Sequence, residues 1–460
     1  MYSRHSKLLI GLTIMILLVG CSANSATVPS SEIEVQPAEN SDSPTKPPLP
    51  PTLTPQSESL TVEVEPAAKE SPPPAGESWI KTIGGDQEET LQDLIMTADG
   101  GYLIVGSKNI QFDGDRVADL YLVETDANGE VLWEKTFSRD GWLYGAEILQ
   151  TEGGNLLISG VESSAGTAGM DIFALQLDSE RNEVWWKTFG GPLDEWGAVW
   201  PMEDGGYLMG GSIVDPDDIV ADPGAAGYGG HAGRSNLYFA RVDAEGNDLW
   251  SHSFGDELNV GACGAAPTPD GGFVLLGTVM VYPESGDDII LMRVDAEGET
   301  VWTRTWEEGS TSAFDLVATS DGGYLISGAI DRSDDPADPL ADFLFIKVDA
   351  DGNEIWLSTF GDPELTDYGQ VVAEAADGGF VAAGESVANL YSANADIALI
   401  KIDEDGQFLW QETIEANTHM MFAKLLRHPD GGFVIAGSTV RNNQFDILLV
   451  KTDAQGRVAD

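Results

Sequence analysis

One phrase recurs seven times along this chain and decides what it can fold into. It opens on a tight turn, continues as a short apolar strand and ends on glycine. The copies are Asp99-Gly-Gly-Tyr-Leu-Ile-Val-Gly106, Glu152-Gly-Gly-Asn-Leu-Leu-Ile-Ser-Gly160, Asp204-Gly-Gly-Tyr-Leu-Met-Gly-Gly211, Asp270-Gly-Gly-Phe-Val-Leu-Leu-Gly277, Asp321-Gly-Gly-Tyr-Leu-Ile-Ser-Gly328, Asp377-Gly-Gly-Phe-Val-Ala-Ala-Gly384 and Asp430-Gly-Gly-Phe-Val-Ile-Ala-Gly437. Their mean spacing is about 55 residues, longer than helical repeats and near the kelch-type length. A second phrase follows each after a variable loop, as in Asp119-Leu-Tyr-Leu-Val-Glu-Thr-Asp126-Ala-Asn-Gly129-Glu-Val-Leu-Trp133 and Asp342-Phe-Leu-Phe-Ile-Lys-Val-Asp349-Ala-Asp-Gly352-Asn-Glu-Ile-Trp356. A strand, an Asp/Gly turn and a returning strand make a β-hairpin. The 53 glycines among 460 residues suit a chain of many tight turns.

Each copy therefore predicts four strands: an inner one such as 91–97, then 102–106, 120–125 and a Trp-bearing strand such as 131–137. Four antiparallel strands repeated radially describe a β-propeller blade. The chain ends favour this over a solenoid. The last copy stops at Asp453-Ala-Gln-Gly456-Arg-Val-Ala-Asp460 without a Trp strand, while an orphan one, Trp79-Ile-Lys-Thr-Ile-Gly-Gly85, precedes the first copy. Together they complete one blade and give seven Trp strands, at Trp79, Trp133, Trp185, Trp250, Trp302, Trp356 and Trp410, for seven copies. The expectation is an all-β, seven-bladed β-propeller over residues 79–460, closed one strand plus three.

Before it lie two other segments. Arg4 and Lys7 lead into an apolar run, 8–19, that is short for a membrane span and fits a signal peptide, residues 1–20. Its end, Leu18-Val19-Gly20-Cys21, resembles the lipobox of bacterial lipoproteins. That resemblance implies acylation of Cys21, cleavage before it and a location at the cell envelope, on the outer membrane or cell surface. Acyl chains contribute about 0.8 kcal/mol per buried methylene, so a multiply acylated Cys21 anchors a domain in a bilayer without a spanning helix. Residues 21–78 hold twelve of the 23 prolines among Ser, Thr and Glu and are expected to form a disordered tether. Its reach is roughly 40 Å as a coil and on the order of 170 Å as polyproline II.

The DGG(Y/F) and D-x-x-G-x-x-x-W repeats resemble the propellers of many uncharacterised bacterial and archaeal surface proteins and lipoproteins, and more distantly the quinoprotein-like and kelch propellers. The likeness implies architecture, because these residues build turns and packing, and one fold hosts unrelated activities. Against a quinoprotein dehydrogenase, Asp to Gly spans three residues where that pattern has four, and Cys263 is the one Cys outside the lipobox, which excludes a vicinal disulfide. A sialidase-like Asp box fails on spacing too.

The formal charge of −54, from 77 Asp plus Glu against 23 Lys plus Arg, opposes binding to nucleic acid and fits high-salt adaptation or a calcium-rich setting. Asp349-Ala-Asp351-Gly-Asn-Glu354 looks like part of a calcium loop, yet the equivalent positions elsewhere are Asn128, Glu245 and Glu297, and a hairpin turn already explains the segment. No catalytic triad, phosphate loop or metal spacing is found, so no cofactor is expected, with calcium left open. Cys263 aligns with Gly145, Gly197 and Ala423 on the inner strand as a buried small residue.

Both constant turns fall on one rim of a propeller and the variable connections on the other. The connection between second and third strands runs from Gly106 to Asp119 in the first copy and from Gly437 to Asp446 in the last, but from Gly211 to Asn236 in the third, around Tyr228 and His231. Connections before the inner strands bring Trp142, Tyr144, Asp194, Trp196, Asp367 and Tyr368 to the same rim. Aromatics beside carboxylates suit a glycan or a peptide, and rings packed between blades are the alternative. The sequence thus points to a monomeric, lipid-anchored binding or scaffold protein; the other readings are an envelope polysaccharide hydrolase or lyase with carboxylates in the central channel, and a purely structural surface protein.

Overall fold

The second turn of each repeat shows why the hairpins form. Asp126 Oδ1 accepts the N–H groups of Asn128 and Glu130 at 2.8 and 2.9 Å, while Gly129 takes a φ of 75° that closes the turn. The same clamp recurs at Asp178, Asp295, Asp349, Asp403 and Asp453. In the first turn the Asp is held by a cation from the third strand: Arg293 to Asp270, Lys347 to Asp321, Lys401 to Asp377 and Lys451 to Asp430, at 2.5 to 2.9 Å. Gly100 and Ala127, like Gly431 and Ala454, approach one another, so both turns of a blade share a rim.

The computed structural model describes residues 78–459 apart from 86, 112–116, 140, 152, 165–169, 190–194, 203–204, 215–219, 222–230, 233–234, 244–246, 255–259, 282–285, 308–309, 333–339, 363–364, 388–394, 417–419 and 442–443. Of the first 77 it describes Ser22–Ala23, a two-residue strand running parallel to Asp315 and Leu316. The signal peptide, Cys21 and the tether otherwise lie outside the described residues.

Among the described residues there is no helix, and the strands form seven four-stranded antiparallel blades. From the axis outward, blade 1 is Glu89–Met96, Tyr102–Gln111, Val117–Thr125 and Val131–Phe137; blade 2 is Gly141–Gln150, Leu156–Ser164, Asp171–Leu177 and Glu183–Phe189. Blade 3 is Glu195–Pro201, Tyr207–Val214, Ser235–Val242 and Asp248–Phe254, and blade 4 is Val260–Pro267, Phe273–Val281, Gly286–Val294 and Thr300–Trp306. Blade 5 is Ser310–Ala318, Tyr324–Asp331, Ala341–Val348 and Glu354–Phe360; blade 6 is Thr366–Glu374, Phe380–Val387, Asp396–Ile402 and Phe408–Ile414. Blade 7 takes Met420–Arg427, Phe433–Arg441 and Gln444–Lys451 from the C-terminus and Trp79–Ile83 from the N-terminal side, with Trp79 opposite Lys451 and Ile83 opposite Ile447. This is the closure expected from the chain ends. A single bridge, Ala118 to Trp142, also links blades 1 and 2.

Second and third strands reach further than the apolar runs suggested: Tyr102–Gln111 and Val117–Thr125 against 102–106 and 120–125. The ladder carries the pairing past Gly106 through Ser107 and Lys108, which have no apolar signature. In blade 3 the long connection contains a small hairpin of Val220–Ala221 against His231–Ala232.

Two devices join the blades. Second-strand hydroxyls accept backbone N–H groups of the next inner strand: Ser159 from Val199, Ser212 from Ala262, Thr278 from Ala313 and, across the closure, Ser438 from Leu91 at 2.8 Å. At the circumference, Trp rings lie on the turn glycine of the following blade. A Cβ added at Gly129, Gly352, Gly406 or Gly456 would come within 3 Å of Trp79, Trp302, Trp356 or Trp410 respectively. The motif's Gly and Trp therefore serve adjacent blades, which is why they recur together. Blade 2 departs from this: Arg181 holds the glycine position at φ 67° and pairs with Glu124, which stands where blades 5 to 7 carry Lys.

Candidate functional site

The inner strands converge on the axis, and all but one of them bulge at the same point. The register shifts at Gln92, Ala146, Cys263, Phe314, Gln370 and Ala423, and blade 3 runs without a bulge. Cys263 is thus the bulge residue, equivalent to Ala146 and Ala423, while Gly145 and Gly197 lie one place earlier, opposite the second-strand glycines. It is buried, as expected of a small residue there. A bulge bends the strand and re-aims the side chain that follows.

That following position reads Asp93, Glu147, Ala198, Gly264, Asp315, Val371 and Lys424 around the ring. Four charged residues thus occupy this one repeat position, all 3% exposed or less. Lys424 Nζ of blade 7 lies 3.0 Å from Asp93 Oδ1 of blade 1. Asp93 Oδ2 accepts the Ile148 N–H at 3.0 Å, and Asp315 Oδ2 accepts the Val372 N–H at 2.9 Å, each from the next blade. Glu147 Oε1 accepts the Trp200 indole N–H at 3.2 Å, and its Oε2 has no hydrogen-bond partner among the described residues.

Burial, reinforced by Asp93, pushes the Glu147 carboxyl well above the usual carboxylate range, against the pull of Lys424 and Trp200. Burial likewise raises Asp315, to about 7, although the Val372 N–H, Lys424 and the Leu316 N–H oppose it. Burial disfavours the Lys424 ammonium, and Asp93, Glu147 and Asp315 more than restore it, leaving it above the ordinary lysine value. These residues escaped the sequence reading. Their signal is a charged residue recurring at one repeat position and followed by apolar residues, as in Asp93-Leu-Ile95, Glu147-Ile-Leu149, Asp315-Leu-Val317 and Lys424-Leu-Leu426.

The expected rim residues divide. Trp142 and Tyr144 are 5% and 4% exposed and pack with Ile110, Met170, Met421 and Phe445, because positions i and i+2 share the strand face turned to neighbouring blades. The Tyr144 hydroxyl accepts Gln92 Nε2 at 2.7 Å. Both rings belong to the core, as the packing alternative held. Asp367 is buried and accepts the Asp362 N–H at 2.8 Å, and burial raises its carboxyl. Tyr368 is partly open, its ring edge-on to Phe314; burial, then Asp331 and Glu385, push its hydroxyl up to about 12. Trp196 lies on an inner strand opposite Ser212 and His231 opposite Ala221, while Asp194 and Tyr228 fall outside the described residues.

The Asp349 carboxylate, considered above for calcium, is engaged by the N–H groups of Asp351 and Asn353 and by Asn353 Nδ2. Among the described residues no three His, Cys, Asp or Glu side chains are grouped to hold a metal ion, and no helix is long and apolar enough to cross a membrane.

A family model described as outer membrane protein assembly factor BamB matches residues 238–455, the span of blades 4 to 6 with parts of blades 3 and 7. No curated protein matches the sequence. Among solved structures, a polysaccharide lyase of family PL25, an ulvan lyase bound to a GlcA(1-4)Rha3S saccharide, is similar at 12% identity and a TM-score of 0.50, over 82% of this chain and 97% of that one. The β-propeller domain of the Trilobed protease from Pyrococcus furiosus is similar at 9% identity and a TM-score of 0.43, over 80% of this chain and 95% of that one. At these identities the likeness concerns the fold.

Proposed function

We propose that this chain is a membrane-anchored, non-enzymatic binding or scaffold protein of the cell envelope, acylated at Cys21 and presenting the variable rim of its propeller to a protein or glycan. One observation carries the reading. The polar groups that recur around the ring are engaged in holding it together: turn carboxylates clamp turns, hydroxyls stitch blades, and Asp93 and Asp315 accept N–H groups from their neighbours. What the repeat does not dictate is the set of connections on the opposite rim, longest between Val214 and Ser235, and long loops on a rigid scaffold commonly carry binding. The match to a family described as an outer membrane assembly factor fits an envelope location, as does the lipobox-like Leu18-Val19-Gly20-Cys21.

The test replaces residues 215–234 by a short Gly-Ser loop, leaving all four strands of blade 3 intact. Native envelope extracts and a glycan array are then presented to both forms. The reading expects the captured species to disappear with the loop while the melting transition stays within a few degrees; identical capture moves binding off this rim. Fatty-acid labelling of wild type and Cys21→Ser tests the anchor, and a wild-type protein that takes up no label removes it.

A second reading, a polysaccharide hydrolase or lyase, is favoured by the raised carboxyls of Glu147 and Asp315 near the axis. Turnover of a uronate-containing polysaccharide that is lost in Glu147→Gln would establish it over the first.

A further inference from the structure

The inner strands of blades 7, 1, 2 and 5 place one lysine and three carboxyl groups, each 3% exposed or less, at one equivalent position facing the axis, with Lys424 and Asp93 in direct contact. A buried arrangement of that kind cannot hold three negative charges against one positive without large cost, and the usual escape is to keep a proton. The geometry says which carboxyl holds the negative charge. Asp93 has both the Lys424 ammonium at 3.0 Å and the Ile148 N–H at 3.0 Å. Glu147 has a single donor, the Trp200 indole, and one oxygen without any partner among the described residues. Asp315 accepts N–H groups from Val372 and Leu316 but has no ion pair as close as that of Asp93.

The position of the ion pair matters as much as its charge. Lys424 and Asp93 face each other across the junction where the last blade meets the first, beside the Ser438 to Leu91 hydrogen bond. The polar bonds at the inner end of the closure therefore depend on the charge state of this cluster, whereas blade 4 contributes Gly264 at the equivalent position.

We propose that Asp93, Glu147, Asp315 and Lys424 form a proton-loaded keystone of the ring: with Lys424 balanced by Asp93, Glu147 and Asp315 are held neutral, and their loss of protons loosens the junction between blades 7 and 1. Among the described residues the charged groups acting on one another are Asp93 and Lys424 on Glu147, Lys424 and Asp93 on Asp315, and all three carboxyls on Lys424. A carboxyl whose folded form holds its proton more tightly than the unfolded chain makes the folded state bind more protons. Stability then falls as pH rises, from the ordinary carboxylate range near 4 up to the folded value, about 7 for Asp315.

The experiment measures denaturant unfolding of the full chain from about pH 5 to about pH 9 in fixed high salt, for wild type, Glu147→Gln, Asp315→Asn and the double variant. In wild type the unfolding constant is expected to rise with pH by up to about tenfold per unit for each proton lost, and in the double variant the rise is expected to flatten. Infrared difference spectra should show a protonated carboxyl band at neutral pH that Glu147→Gln weakens and the double variant removes, a readout that a packing role alone would not move. Amide exchange at Leu91 and along 447–451 should quicken with pH beyond its intrinsic rate more than exchange in blade 4. Parallel stability profiles for wild type and the double variant, or no carboxyl band at neutral pH, overturn the proposal. Where the double variant does not fold, the infrared and exchange measurements on wild type and Asp315→Asn decide it by the same criteria.

Discussion

Gly322 and Gly352 of blade 5 form a matched pair that isolates the contact joining one blade to the next. Both take a left-handed φ, 85° and 75°, so alanine at either site pays a similar backbone penalty, about 1–2 kcal/mol. Their surroundings differ. A Cβ at Gly322 has nothing within 4 Å, whereas one at Gly352 would stand 2.7 Å from the Trp302 ring of blade 4. The ring must therefore shift, and overpacking of that kind adds about 1–3 kcal/mol. Gly352→Ala is expected to cost about 2–5 kcal/mol in total and Gly322→Ala about 1–2. In a Trp302→Ala background the cost of Gly352→Ala should drop to that of Gly322→Ala, a coupling of about 1–3 kcal/mol. Guanidinium unfolding of the four proteins of the cycle, with Gly322→Ala beside them, supplies the values. Equal costs at both glycines, or a Gly352→Ala cost unchanged by removal of Trp302, would refute the claim that Gly and Trp serve adjacent blades.

Ser438→Ala removes the acceptor of the buried Leu91 N–H and should destabilise the protein by about 1–3 kcal/mol in urea titration, against a few tenths for the exposed Thr413→Ala. Burial opposes ionisation of Asp430, and Lys451, the Gly432 N–H and His428 overcome it, lowering the carboxyl to about 2. Its contribution is therefore fully present above the ordinary carboxylate value and lost as pH falls through about 2; Asp430→Asn should cost about 2 kcal/mol at neutral pH, with the gap from wild type closing on acidification.

The repeat, the hairpins and the closure were legible in the sequence because each is carried by local chemistry. Asp and Gly at fixed offsets set the turns, alternating apolar residues set the strands, and the missing seventh Trp strand has its counterpart at Trp79. What could not be read depends on neighbours far apart in the chain. The extension of the second strand beyond Gly106 follows from pairing with Leu120 and Asp119 and leaves no apolar trace. The inner-strand bulge moves Cys263 one place from its aligned position, because a bulge adds a residue without altering composition. Trp142 and Tyr144 looked like rim aromatics by their place in the repeat, and only the packing of blade 2 against Ile110 and Phe445 shows them to be core. Asp93 and Lys424 lie on the first and the last blade, and they meet only because ring closure sets those two blades side by side.

That closure is the claim on which the scaffold, its rim and its axis all rest, and truncation tests it most directly. A protein beginning at residue 72 retains the strand Trp79–Ile83, while one beginning at residue 86 loses its ladder with 447–451, the packing of Ile83 and the Trp79 contact with Gly129. Burying an Ile and part of a Trp stabilises by at least about 3 kcal/mol, and their loss also leaves an open strand edge. Thermal unfolding should therefore show the shorter truncation melting as the full chain does and the longer one melting far lower, without a cooperative transition or with aggregation. Identical, cooperative melting of the two would contradict the account.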